Sequence, residues 1–157
     1  MTAVAFKYLT WNTNGINDLS KRRKVLNFLK KHKIDIALLQ ETHLTDDEHA
    51  RLTRQWQGQT FYSSFTSQSR GVATLIGKNV PLQVDNVEKD KQGRYLILKG
   101  SLSGEPITLV NIYGPNYDCP QFFQSLLFTL TCHASELFIG GDMNLVLDPS
   151  KDRSSSN

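Results

Sequence analysis

Hydrophobic positions along the chain fall into short runs, and most of the runs end on a polar residue followed by a turn. Residues 4–11 alternate loosely and are rich in β-formers, which predicts a strand ending at Trp11. From Leu19 to His32 the spacing becomes that of a helix, with Val25, Leu26, Phe28 and Leu29 as its apolar stripe and cations on the other face. Ile34 to Leu39 is an almost unbroken apolar run, as expected of a strand covered on both faces. Thr45-Asp46-Asp47-Glu48 has the form of a capping box, in which Thr45 bonds the helix start and Glu48 reaches back. That helix should end near Trp56-Gln57-Gly58.

Between Thr60 and Ile112 the pattern turns to short strands separated by Gly, Pro, Asn and Asp. Gly71–Ile76, Leu82–Val87, Arg94–Lys99 and Ile107–Ile112 are the candidates, with Ser103-Gly104 as a hairpin turn. Asp118 is placed to cap a helix whose Phe122, Leu126 and Leu130 recur at i, i+4 and i+8, flanked by Phe123 and Leu127. A last strand, Leu137–Ile139, leads into Gly140-Gly141-Asp142-Met143-Asn144, and the stretch from Asp148 onward is polar and serine-rich. Strands and helices in this mixed order imply an α/β fold with helices covering sheet faces. The last strand comes close to the end of the sequence, so it is expected to have little to pair beside it. Tyr8–Trp11 and Leu137–Ile139 are then expected to expose apolar area.

Composition narrows the class more than the function. At 157 residues, 39% apolar and 21% charged, the chain reads as one globular domain able to bury a core. A net charge of +3 does not by itself argue for nucleic acid. The cations are uneven, however, with Lys21-Arg22-Arg23-Lys24 and Lys30-Lys31-His32-Lys33 around one helix. A solvated helix face is the ordinary reading; a phosphate-facing patch including Arg22 and Arg23 is the alternative. Cys119 and Cys132 have no CxxC spacing and read as free thiols. No apolar run approaches the ~20 residues of a membrane span, and no basic-then-apolar leader opens the chain. An intracellular, nuclear or cytoplasmic protein with no membrane partner is expected.

The candidate chemistry lies where strands end. Glu41 follows a buried strand and can hold a hard divalent cation such as Mg²⁺, which takes oxygen ligands and often needs only one or two carboxylates. The alternative is a residue that simply begins a loop or a helix. Asn12 and Asn14, before Gly15, can donate to phosphate oxygens or form an Asx-turn. The Tyr113 phenol, before Gly114-Pro115, can donate to a phosphate or be core. Asp142 and Asn144, two apart in a glycine-rich turn, can face one pocket. Each is ambiguous alone; their joint placement after strands points to a site for a metal and a phosphate.

Taken together, Trp11-Asn12-Thr13-Asn14-Gly15, Gln40-Glu41-Thr42-His43-Leu44, Asn111-Ile112-Tyr113-Gly114-Pro115-Asn116 and Gly141-Asp142-Met143-Asn144 resemble the endonuclease/exonuclease/phosphatase superfamily. The likeness is greatest to the apurinic-type endonuclease domain of LINE-type (non-LTR) retrotransposons, which Gly71–Ile76 and Asp152-Arg153-Ser154 also resemble. The resemblance implies the N-terminal portion of a DNase I-like four-layer α/β sandwich with its second sheet incomplete, and Mg²⁺-dependent hydrolysis of a DNA phosphodiester, Mn²⁺ being a substitute. It implies Glu41 as metal ligand, with Asn14 where many relatives carry an aspartate ligand. Asn12 would orient the scissile phosphate or a metal-bound water, Tyr113 would bond the phosphate, Asp142 would orient and activate the attacking water and Asn144 would stabilise the oxyanion. Asn116, Arg22 and Arg23 are carried as substrate-binding residues.

The family's Ser-Asp-His motif has no counterpart among His32, His43, His49 and His133. Residues 1–147 are therefore expected to form the N-terminal part of the domain and 148–157 the start of a remainder. Loss of one transition-state donor typically costs ~3–4 kcal/mol, so a weakly active or inactive fragment is expected, with a reverse transcriptase region in the same polyprotein. A non-catalytic phosphate- or nucleic-acid-binding remnant and a phosphatase of the same superfamily are the alternatives. Asn-Ile-Tyr-Gly-Pro-Asn and Gln-Glu-Thr-His-Leu favour nuclease over the latter.

Overall fold

The computed structural model describes residues 5–132 and 135–146. Eight strands and three helices follow in the order β1 (Tyr8–Asn12), α1 (Leu19–Lys31), β2 (Ile36–Gln40), α2 (Asp46–Gln55), β3 (Gly58–Ser63), β4 (Val72–Gly77), β5 (Leu82–Lys89), β6 (Tyr95–Leu102), β7 (Glu105–Tyr113), α3 (Pro120–Thr131) and β8 (Glu136–Asp142). They form two four-stranded sheets, ordered β1-β2-β4-β3 and β5-β6-β7-β8.

The sheets stack face to face, and the alternation within each strand assigns its residues to layers. In β2, Ile36 and Leu38 face the second sheet, where Leu96, Leu98, Ile107 and Leu109 complete the central core. Ala37 and Leu39 face the other way, against Val25, Leu26 and Leu29 of α1 and Leu52 of α2. On the far side, Leu126 and Leu130 of α3 cover Ile97, Val110 and Ile112. The result is a helix–sheet–sheet–helix sandwich of DNase I-like type, and it explains why β2 reads as a continuous apolar run.

Several local expectations need correction. The strand β3 has no counterpart among the expected ones: exposed Gly58-Gln59 begin it, because it is the edge of its sheet. The capping box is half formed. Thr45 Oγ1 accepts from Glu48 N at 3.4 Å, but the Glu48 carboxylate is taken by Arg22 and Arg51. Helix α3 is capped by Cys119 without a side-chain bond, and Pro120 begins it, so Asp118 is not the cap. Strands β1 and β8 are sheet edges among the described residues, and Leu137 and Ile139 are 46% and 39% exposed. Tyr8 is partly covered by stacking on Phe138 at 4.2 Å. The tail from Asp148 and the Asp152-Arg153-Ser154 segment lie outside the described residues. Both cysteines are free, and no described helix is long and apolar enough to cross a membrane.

Candidate active site

Two parallel strand pairs aim their C-terminal ends at one edge of the sandwich. In the first sheet β1 and β2 run in register with Asn12 opposite Gln40. In the second, β7 and β8 run parallel with Tyr113 opposite Asp142. The residues that end or follow these four strands therefore meet across the gap between the sheets.

The meeting point is the Asn12 amide. Its Nδ2 donates to Glu41 Oε1 at 2.9 Å and to Asp142 Oδ2 at 2.8 Å, and its Oδ1 accepts from Asn14 N at 3.0 Å. Both amide hydrogens and the carbonyl are thus used, which fixes the side chain between two carboxylates. Asp142 is held from its other oxygen by Asn144 N at 3.0 Å. The Asn144 side chain is turned by Gly114 O, to which Nδ2 donates at 2.7 Å, leaving its second N–H without a partner among the described residues. A Cβ on Gly114 would stand 2.1 Å from Met143 O, so only glycine lets the turn after β7 lie against the turn after β8.

Glu41 sits in the left-handed region, with φ 48°, as do His43 at 53°, Asn14 at 45° and Asn144 at 50°. Such conformations cost of order 1 kcal/mol or more each and persist where surrounding bonds over-determine them. Here Glu41 O accepts from Gly15 N at 2.7 Å, while Thr42 N and His43 N donate to Gly71 O and Arg70 O at 3.0 and 2.9 Å. Thr42 is buried, and its Oγ1 lies 3.1 Å from Nε2 of the equally buried His49.

Burial pushes the Glu41 carboxyl up, but hydrogen bonds from Asn12, Tyr113 and His43 outweigh it and hold the group below the ordinary carboxylate range. Tyr113 moves the opposite way, to about 12, through burial and then the Glu41 carboxylate beside it. The phenol therefore stays protonated at neutral pH, with its one O–H directed at the Glu41 carboxylate. An open cleft of about 650 Å³ lies over this edge, lined by Thr10, Asn12, Gln40, Asn116, Asp142 and Asn144 among others. Glu41 joins it through Asn12 rather than from its wall, and Tyr113 stands behind it against Glu41.

Of the residues expected at the site, Asn12, Glu41, Tyr113, Asp142 and Asn144 are brought together and Asn116 lines the cleft. Asn14 arrives by its backbone, while its side chain has no hydrogen bond to a described residue. Arg22 does not belong to the site. It is fully buried, donating to Ile16 O at 2.9 Å and Glu48 Oε2 at 2.6 Å, and it ties α1 to α2. Its Cβ points to the apolar side of α1, between Val25 and Leu26 one turn on, so it cannot share the solvated basic face. Arg23 is exposed on α1 with no ion pair to a described residue.

Three contributors were not assigned from the sequence. His43 Nε2 stands 3.2 Å from Glu41 Oε2, and the Glu-x-His spacing was the available signal. Gln40 and Asn111 form a buried bridge between the sheets, Gln40 Nε2 donating to Asn111 Oδ1 at 2.8 Å. Asn111 Nδ2 in turn donates to Leu39 O and Ala73 O at 3.1 and 3.0 Å. An amide in or at the end of an apolar strand, one or two residues before a functional residue, was that signal. Among the described residues no three His, Cys, Asp or Glu side chains gather to hold a metal. The ionised Glu41 with Asp142 one amide away nonetheless fits a Mg²⁺ ion, which keeps several waters and takes phosphate oxygens.

The model of the endonuclease/exonuclease/phosphatase family matches residues 9–156. An exodeoxyribonuclease of Bacillus subtilis (strain 168) is 25% identical over 114 residues, covering 70% of this chain and 43% of that protein. The AP endonuclease LMAP of Leishmania major superposes with a TM-score of 0.68 at 20% identity, covering 97% of this chain and 59% of that one. The endonuclease domain of TRAS1, a telomere-specific non-LTR retrotransposon, gives a TM-score of 0.63 at 14% identity, covering 90% and 62%. This chain thus spans about half the length of the relatives it matches, and its fold is shared by an AP endonuclease and by a retrotransposon endonuclease domain. The chain belongs to the endonuclease/exonuclease/phosphatase family.

Proposed function

We propose that this chain carries the hydrolytic site of a Mg²⁺-dependent nuclease that cleaves a phosphodiester of DNA, with Mn²⁺ able to substitute. The observation that carries the reading is the Asn12 amide held between Glu41 and Asp142 at 2.9 and 2.8 Å, since it joins residues of both sheets at a strand-end cleft. Family membership supports hydrolysis of phosphoesters. The likeness to an exodeoxyribonuclease supports DNA as the substrate.

Glu41, ionised at neutral pH, is the residue that holds the cation. When bound, Mg²⁺ supplies neutralisation of charge on the phosphate. The protein's own groups do the positioning. The Tyr113 phenol would turn its one O–H from the Glu41 carboxylate to a non-bridging phosphate oxygen, and Asn12 fixes the phosphate relative to Glu41. Asp142, oriented from both sides by Asn12 Nδ2 and Asn144 N, accepts the proton of the attacking water. The remaining N–H of Asn144 faces the oxygen on which negative charge develops. Phosphoryl transfer needs this kind of positioning and electrostatic support more than covalent chemistry.

The retrotransposon type of the activity, with a reverse transcriptase region as its polyprotein partner, is supported by the motif resemblance and is compatible with the TRAS1 likeness. A substrate panel tests the reading against a phosphatase. Supercoiled plasmid should be nicked in Mg²⁺ and inositol phosphates should release no phosphate; phosphate release without nicking would replace the nuclease by a phosphatase.

A further inference from the structure

Thr42, the residue after Glu41, is held at every polar atom it has. Its N–H donates to Gly71 O at 3.0 Å and its carbonyl accepts from Ile16 N at 2.9 Å. Its hydroxyl lies 3.1 Å from His49 Nε2, the one partner that hydroxyl has among the described residues. The backbone closes over this contact: at Gly71, with φ 88°, a Cβ would stand 2.4 Å from Thr42 Oγ1. His49 is gripped in turn. Its Nδ1 is 2.7 Å from Ser64 Oγ, and its ring stacks on Tyr62 with centroids 4.6 Å apart and planes at 5°. Burial keeps the imidazole neutral at pH 7. A neutral ring has one donor and one acceptor nitrogen, and a hydroxyl can complement either, so both ends of the Ser64–His49–Thr42 chain are satisfied.

Thr42 and His49 are fully buried, and neither α2 nor β3 contributes a residue to the wall of the cleft. A leucine at position 49 would fill the space but would strand two buried hydroxyls. What separates His49 from an ordinary core histidine is where its ring nitrogen ends. Thr42 is flanked by two residues in the left-handed region, Glu41 at φ 48° and His43 at φ 53°. Each favours relaxation toward an ordinary conformation by roughly 1–2 kcal/mol. Such a relaxation at Glu41 would swing its carboxylate away from Asn12 Nδ2, now at 2.9 Å, and from His43 Nε2, now at 3.2 Å. Backbone bonds tie the loop to β1 and to residues 70–71; the side-chain tie to the outer helical layer is the one from His49.

We propose that His49 is a positioning residue of the site: by gripping the Thr42 hydroxyl, its imidazole keeps Glu41 in the left-handed conformation that aims the carboxylate at Asn12 and at a bound cation. Groups behind a metal ligand set its orientation and, through it, the affinity of the site. The inference deepens the nuclease reading and rests on it for the cation alone; the hold on the Asn12 amide is independent of any metal.

Two pairs of variants test it. His49→Gln places an amide where Nε2 stands and keeps the bond to Thr42, whereas His49→Asn reaches only the place of Nδ1. Thr42→Val removes the hydroxyl at nearly constant volume, and Thr42→Ser restores it. The first readout needs no metal: the Asn12 side-chain amide in a proton–nitrogen correlation spectrum, identified by its loss in Asn12→Ala. In the parent chain, His49→Gln and Thr42→Ser its two protons should be shifted from those of free amides and exchange slowly; in His49→Asn and Thr42→Val they should move to the free positions. The second readout is Mn²⁺ affinity by electron paramagnetic resonance of the free ion. His49→Asn and Thr42→Val should bind about tenfold more weakly than the parent, with His49→Gln and Thr42→Ser within about twofold of it. Should the His49 variants fail to fold, the Thr42 pair decides. An Asn12 amide and a Mn²⁺ affinity that stay unchanged in folded Thr42→Val overturn the proposal, and so does Thr42→Ser behaving as Thr42→Val does. If the Asn12 amide responds as expected but the parent chain binds no Mn²⁺, the positioning role stands and it is the cation reading that fails.

Discussion

Replacing Asn111 by leucine removes the bridge that spaces the two halves of the site while keeping the side chain's size. Asn111 is fully buried. It accepts from Gln40 Nε2 at 2.8 Å and donates to Leu39 O and Ala73 O at 3.1 and 3.0 Å, with a longer contact of 3.4 Å to Thr74 Oγ1. At about 1 kcal/mol net for each of the three shorter bonds, the loss is about 3 kcal/mol. Gln40 Nε2 still reaches Leu38 O and Thr10 Oγ1, so no donor is orphaned and the cost should not climb far above that sum. For a chain of this size, ~3 kcal/mol lowers Tm by roughly 6–12 °C. Asn111→Asp should be worse than Asn111→Leu, because it turns a carboxylate toward two carbonyl oxygens. Thermal unfolding followed by far-UV circular dichroism measures both. A leucine variant that melts within about 2 °C of the parent, or an aspartate variant more stable than the leucine one, would refute the claim that this amide ties the sheets together.

Two other perturbations follow from the same geometry. His49 is buried, its Nδ1 2.7 Å from Ser64 Oγ, and burial holds its pKa near 4 against an ordinary 6.5. The unfolded chain therefore takes up a proton that the folded chain refuses. This stability is fully present above pH 6.5 and falls by about 3 kcal/mol as pH drops toward 4; urea midpoints at pH 7 and 4.5 should separate for the parent and converge for His49→Gln. Arg22→Met should lower Tm, by somewhat less than the ~3 kcal/mol of a fully buried broken pair because Glu48 is part exposed. It should leave the salt slope of oligonucleotide binding unchanged; a slope lowered by about 1 would restore Arg22 to the substrate surface.

What was legible in the sequence was whatever depended on period and punctuation. The central strand β2 announced itself because both faces are covered, and α1 because its stripe at Val25, Leu26 and Leu29 is packed as spaced. The polar residues at strand ends were legible as a set because parallel neighbours share an end, which is how Asn12, Glu41, Tyr113 and Asp142 converge. What was not legible depended on the partner across space. β3 hid because an edge strand can begin with exposed Gly-Gln. Glu48 left the capping box because a buried arginine from another helix competed for it. Arg22 sat in a run of cations whose average character is solvated, and only its phase on the helix, one turn before Leu26, betrayed it.

The central claim is that the Asn12 amide between Glu41 and Asp142 marks a working phosphodiesterase site. Nicking of supercoiled plasmid with and without Mg²⁺, by the parent chain and by Asn12→Ala, Glu41→Ala and Asp142→Ala, tests it most directly. Metal-dependent nicking that is lost in all three variants, each shown to be folded, is the predicted result. No nicking from folded parent chain, or nicking that survives the loss of Asn12 or Asp142, would contradict it.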